Sequence, residues 1–150
     1  MQPKPYEPPH PVNAETFQNL AAALRPVAET QPELLGLYLF GSQATGEARE
    51  GSDYDLGALF RHSPQVLDLV GLQGQLSEAL GSDVDLIDVG SASPYLALDV
   101  VRGERLYCQD PDACDAFDLY VLRRAADLAP FERQRRQMIL GLGTGPETNE

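Results

Sequence analysis

The chain has 150 residues, 43% of them hydrophobic, enough for one compact domain with an ordinary core, which excludes wholesale disorder. Its formal net charge of −12 excludes broad electrostatic binding of nucleic acid or of an anionic membrane, and suits a basic partner. No stretch approaches the ~18 apolar residues of a membrane span.

The N-terminal "MQPKPYEPPHPV" has no apolar core and is not a signal peptide; residues 1–11 are expected to form a flexible, proline-rich arm. Asn13 is positioned as an N-cap, and Phe17, Leu20, Ala21 and Leu24 follow at helical spacing, with Pro26 and Pro32 bracketing the helix end. "LLGLYLF", Leu34 to Phe40, is a near-continuous apolar run and predicts a buried central strand ending at Gly41. "SDYDLGALF", Ser52 to Phe60, predicts a second strand. Ser63 and Pro64 are expected to cap and open a helix that carries Val66, Leu69, Val70, Leu72, Leu76 and Leu80 to Gly81.

"DVDLIDV", Asp83 to Val89, predicts a third strand. Ser93-Pro94 opens another helix with Tyr95, Leu98 and Val101 on one face, stopping at Gly103, and "RLYC" reads as a short edge strand. Asp110-Pro111 caps a long helix in which Phe117, Tyr120, Val121 and Leu128 recur, with an interruption at Pro130. The aromatics Phe117, Tyr120 and Phe131 are read first as core and second as an apolar contact surface. The tail 141–150 is expected to be disordered. Residues 12–140 then form one α/β (α+β) domain, a small mixed sheet flanked by helices. Cys108 and Cys114 match no zinc or redox spacing and read as ordinary thiols of a cytoplasmic protein.

The chemistry concentrates in "GSQATGEAREGSDYDL". Asp53 and Asp55 fall at i and i+2 of the expected strand, so both side chains point to one face. Paired oxygens on a rigid strand suit a hard cation such as Mg²⁺. "VDLID" offers a third carboxylate, Asp85 or Asp88, but these face opposite ways, so at most one joins the site. Asp85 is the choice, because a carboxylate between Val84 and Leu86 is costly in mid-strand without a partner. The Gly41-Ser42 turn lets backbone and hydroxyl approach phosphate oxygens.

Gly41-Ser42, the ten-residue gap, Asp53-Tyr54-Asp55 and Asp85 resemble the GSx10DxD signature of the DNA polymerase beta-like nucleotidyltransferase superfamily, and within it the minimal nucleotidyltransferase (MNT) group, whose closing helix is similar to "AFDLYVLRRAADLAPF". The resemblance covers roughly residues 15–140. It implies a polymerase beta-like fold and the antitoxin of a HEPN–MNT pair, which transfers AMP from ATP to a tyrosine of its HEPN RNase toxin and assembles with it. It also implies two Mg²⁺ ions bound by Asp53 and Asp55, with Asp85 on the catalytic ion and assisting deprotonation of the attacking hydroxyl, and Gly41 and Ser42 on the triphosphate. Many relatives carry an arginine three residues after the motif serine; this chain has Thr45, with Arg49 four positions on. Two alternatives remain at this point: transfer to a small molecule of aminoglycoside type, or neutralisation of a partner by contact alone.

Overall fold

The computed structural model describes residues 14–41 and 53–140. The expected arm 1–11, the cap Asn13, and Ser42, Thr45, Arg49 and the tail 141–150 lie outside the described residues. The elements in chain order are α1 (Ala14–Ala28), β1 (Leu34–Phe40), β2 (Tyr54–Phe60), α2 (Val66–Leu80), β3 (Val84–Asp88), a 3-10 turn (Val89–Ser91), α3 (Pro94–Val101), β4 (Glu104–Cys108) and α4 (Pro111–Leu140).

The four strands form one mixed sheet in the order β3-β2-β1-β4, with β2 and β3 parallel and β1 antiparallel to both β2 and β4. The apolar run of β1 is buried on both faces because it is a central strand covered on both sides. Leu37 and Leu39 face a core made with Leu20 and Leu24 of α1 and Leu72 and Leu76 of α2. Leu35 and Tyr38 face a second core made with Ala97 and Val100 of α3 and Cys114 and Val121 of α4. The sheet is thus the middle of three layers. At Gly57 of β2 a Cβ would stand 2.5 Å from a Val100 methyl, so the glycine is what allows α3 to lie this close to the sheet.

Several expectations are corrected. Pro130 sits inside the continuous helix α4 rather than interrupting it, whereas α1 ends at Ala28, between Pro26 and Pro32 as expected, with Pro26 in its last turn. Each proline frees the carbonyl four residues before it. Those residues, Ala22 and Ala126, are exposed, so water can take the missing donor's place. α2 starts at Val66 from an extended Gln65 with no side-chain cap, not at Ser63-Pro64; residues 63–65 form no helix. Its buried stripe is Leu72 and Leu76, leaving Val66 and Val70 exposed. α3 is capped by Ser93 as expected, with Leu96 N–H donating to the hydroxyl at 3.2 Å, but it buries Ala97 and Val100 rather than Tyr95. On α4, Phe117 packs against the second core while Tyr120 and Phe131 are exposed. Gly81 ends α2 as expected, at φ 66°.

Candidate active site

The site lies where β1 ends and β2 and β3 begin. Asp55 is the second residue of β2. In the ladders it stands opposite Phe40 on one side and directly beside Asp85 of the parallel strand β3 on the other. Residues in register across neighbouring strands send their side chains to the same face, so the two carboxylates are neighbours. This is the face that carries Gly57 and Tyr38, beneath α3 and α4. Asp53 is two residues before Asp55 and precedes the strand, which begins at Tyr54 and not at Ser52. The start is pinned by the Tyr54 N–H donating to the Asp83 carbonyl at 3.0 Å.

Gly41 follows the last residue of β1 with φ 74°. That conformation alone favours glycine. Space imposes a second demand, since a Cβ at this position would overlap the Asp55 carboxylate. The turn backbone therefore lies directly against the acid. Nothing in the sequence motif reveals this contact, because it joins residues fourteen apart through the antiparallel pairing of β1 and β2.

The electrostatics follow from the placement. Burial, then the charges of Asp85 and Asp53, push the Asp55 carboxyl above its ordinary value. Both causes disfavour the charged form. Asp53 and Asp85 are exposed and Asp55 is half-buried. The expectation that Asp85 sits inside the protein is thus corrected: β3 is an edge strand, with the pattern of one exposed residue between buried Val84 and Leu86. Asp88 is differently occupied. Its carboxylate accepts from the Gly90 N–H at 3.2 Å and from the Ser91 hydroxyl at 2.8 Å, closing the 3-10 turn at the far end of β3. Among the described residues no group of three or more His, Cys, Asp or Glu could hold a metal ion by itself.

The same face carries a cluster that sequence reasoning missed. The Tyr38 hydroxyl donates to Asp118 at 2.6 Å, and Arg105 reaches the other oxygen of Asp118 at 2.6 Å and Asp115 at 3.0 Å. The Arg105 guanidinium also lies 5.8 Å from the centre of the Tyr38 ring. Burial, and then the Asp118 hydrogen bond, push the Tyr38 hydroxyl well above its usual value, so it stays a donor. Burial opposes the Arg105 charge, but the hydrogen bonds to Asp118 and Asp115 outweigh it and hold the guanidinium protonated. The cluster ties β1, β4 and α4 together under the site. Its one signal in the sequence is Tyr38 itself, a polar tip inside an apolar run, which needs a partner when buried.

Comparison with known proteins bears on this geometry. The family model described as "Polymerase beta, Nucleotidyltransferase" matches residues 23–112, a span that includes Gly41, Ser42, Asp53, Asp55 and Asp85. The chain is 38% identical over 109 residues to the protein adenylyltransferase MntA of Shewanella oneidensis, covering 72% of this chain and 76% of that protein. Among solved structures, a chain of a toxin-antitoxin complex with AMP-PNP superimposes with a TM-score of 0.67 at 27% identity, covering 83% of this chain and 98% of that one. A chain from the tri-AMPylated Shewanella oneidensis HEPN toxin in complex with its MNT antitoxin superimposes with a TM-score of 0.66 at 25% identity, covering 83% and 98%. A shared fold, a family match across the glycine turn and all three aspartates, and this degree of identity together place the chain: it belongs to the polymerase beta nucleotidyltransferase family.

Proposed function

We propose that the chain is the antitoxin of a HEPN–MNT pair and silences its HEPN RNase toxin by transferring AMP from ATP to a tyrosine hydroxyl of that toxin. The observation that carries this reading is the Asp55–Asp85 pair, in register on parallel strands with the Gly41 turn packed against Asp55. The 38% identity to a protein adenylyltransferase supports the reaction class, and the toxin-antitoxin neighbours support the partner. Such a reaction belongs in the cytoplasm, where ATP and an RNase target meet.

The donor set fits Mg²⁺. Burial, then the charges of Asp85 and Asp53, raise the proton affinity of Asp55, and a hard cation there would relieve both costs once phosphate oxygens supply the ligands that the acids alone do not. Asp53, Asp55 and Asp85 would hold it, and its charge would neutralise phosphate oxygens and favour the ionised nucleophile. Mg²⁺ usually binds through one or two carboxylates plus substrate phosphates, so the nucleotide completes its shell. Gly41, with Ser42, would seat the triphosphate where backbone approaches closely. Asp85 would take the proton of the tyrosine hydroxyl. The tyrosine oxygen then bonds to the α-phosphorus as the bond to the β-phosphate oxygen breaks in line, and pyrophosphate leaves.

The test is transfer itself. The chain is incubated with Mg²⁺, α-labelled ATP and the HEPN protein encoded beside it, and the label is expected on a tyrosine of that protein. Label on an added aminoglycoside instead, or on neither, overturns the reading. Binding provides a check without the partner: ATP with Mg²⁺ is expected to raise Tm by more than the sum of the two separate shifts.

A further inference from the structure

Cys108 ends β4 and Cys114 lies in the first turns of α4, with five residues between them. Both are free thiols, and their sulfurs stand 2.7 Å apart. That is closer than non-bonded sulfurs normally sit, and only a short movement from the about 2.05 Å of a disulfide. Both partners are held from outside the pair. Cys108 is in the ladder opposite Gly36 of β1, and the Cys114 N–H donates to the Asp110 carbonyl at 3.0 Å while Asp110 caps the helix start. The Cys114 sulfur is backed by β1: it lies 3.4 Å from the Leu35 carbonyl, and a Cβ on Gly36 would come within 3.0 Å of it. It has little room to turn away from Cys108.

We infer that Cys108 and Cys114 are a modification site, a thiol pair that a peroxide oxidises to a reversible disulfide tying the end of β4 to the start of α4. Cys108 is half-buried and Cys114 fully buried, so the oxidant meets Cys108 first. Burial, and then the hydrogen bond with Cys108, push the Cys114 thiol up to about 12, so it is the resolving and not the attacking group. The Cys108 thiol gives up its proton, and the sulfur attacks one peroxide oxygen. The O–O bond breaks, and Cys108 becomes a sulfenic acid as hydroxide leaves. The Cys114 sulfur then attacks the Cys108 sulfur, the S–S bond forms, the S–O bond breaks, and water leaves with the Cys114 proton. The two sulfurs together lose two electrons and hydrogen peroxide is reduced to two waters. The pair is remote from the aspartates: in the ladders Cys108 stands opposite Gly36 and Asp55 opposite Phe40, at opposite ends of β1.

The test uses the full chain, reduced, treated with hydrogen peroxide, and alkylated with iodoacetamide under denaturing conditions. The expected monomer has lost two hydrogens and takes up no alkyl group, and dithiothreitol restores both alkylation sites. Its Tm rises by about 5 °C over the reduced chain, because a cross-link removes freedom from the unfolded state. Cys108→Ser, which leaves the buried thiol in place, is expected to show neither the loss of two hydrogens nor the rise. Two alkylated thiols after peroxide, oxygen added at either cysteine as located by peptide mapping, or a disulfide-linked dimer as the main product each overturns the inference; oxygen gained at the exposed Met138 does not bear on the pair.

Discussion

Asp55 and Asp118 serve the same face of the same sheet and meet opposite surroundings. Asp118 is held between a tyrosine hydroxyl and a guanidinium, both donors, at 2.6 Å each. Asp55 is half-buried beside two further carboxylates that raise its affinity for protons. The first arrangement satisfies a charge and fastens a helix to a sheet. The second concentrates like charge, which costs the folded protein and makes sense when a cation and a phosphate chain are part of the working state. An acid's role is thus read from what surrounds it: donors around Asp118 mark structure, and carboxylates around Asp55 mark chemistry.

The sharpest way to break this contrast is to remove an acid from each side. Asp55→Ala or Asp53→Ala is expected to lower AMP transfer by on the order of 100-fold or more, since even supporting residues around a metal cost 10–100-fold. The far-UV spectrum and the unfolding cooperativity stay as in the parent. Retention of most transfer activity by either variant would remove the metal role from the pair. Next in size, Asp85→Asn is expected to lose transfer by a comparable or somewhat smaller factor, whereas Asp88→Asn keeps most of it. Asp88 spends its oxygens on Gly90 and Ser91, so its variant should instead lower Tm slightly. The reverse pattern of rates would assign the third carboxylate to the wrong end of β3.

Much of this frame was legible beforehand, for local reasons. β1 announced itself as an unbroken apolar run, and the alternation of β2 put Asp55 on the face that Asp85 shares, while Asp53, expected within the strand, stands just before it. Gly81 and Ser93 carried their caps in the sequence. The choice of Asp85 over Asp88 named the residue that stands beside Asp55, but from the wrong cause: Asp85 is exposed on an edge strand, not strained in an interior. What stayed hidden is non-local. Tyr38 and Asp118 are 80 residues apart, and no period links them. The overlap that forbids a Cβ at Gly41 depends on the β1–β2 register. Pro130 misled because a proline's cost depends on whether the carbonyl it frees meets water, which a linear pattern does not show.

On the structural side, Asp118→Ala leaves the Tyr38 hydroxyl and the Arg105 guanidinium without their shared acceptor. Bonds to charged groups contribute about 1.5–3 kcal/mol, and Asp118 is only partly exposed, so a loss near 2 kcal/mol is expected, or roughly 4–8 °C in Tm. Transfer measured well below that Tm should fall by less than about threefold, a difference of under 1 kcal/mol in barrier. A larger loss of rate at unchanged stability would show that the Tyr38–Asp118–Arg105 cluster takes part in the chemistry, and would erase the distinction between the two aspartates.

The smallest effect is the most diagnostic. A carboxyl whose proton affinity is higher in the folded chain than in the unfolded one disfavours folding once it is ionised. That penalty is complete above the raised value and is relieved as pH falls through it. Asp55→Asn removes the ionised group without changing its size. In the absence of nucleotide and metal, the variant is therefore expected to melt slightly above the parent at pH 7, by a few degrees at most because Asp55 is only half-buried and solvent screens part of the effect. The advantage should shrink steadily as pH is lowered into the carboxylate range, where the parent's Asp55 takes up its proton. Added salt should narrow the gap at pH 7 only partly, since screening weakens the repulsion from Asp53 and Asp85 but leaves the burial cost, the larger of the causes. Asp118→Asn is expected to move the other way at every pH above the carboxylate range, because it weakens a pairing with Arg105 instead of relieving a repulsion. Differential scanning calorimetry across pH decides it. A parent more stable than Asp55→Asn at pH 7 would mean that the like-charged surroundings of Asp55 are compensated within the free chain, and that no cation is needed to explain why the three acids share one end of the sheet.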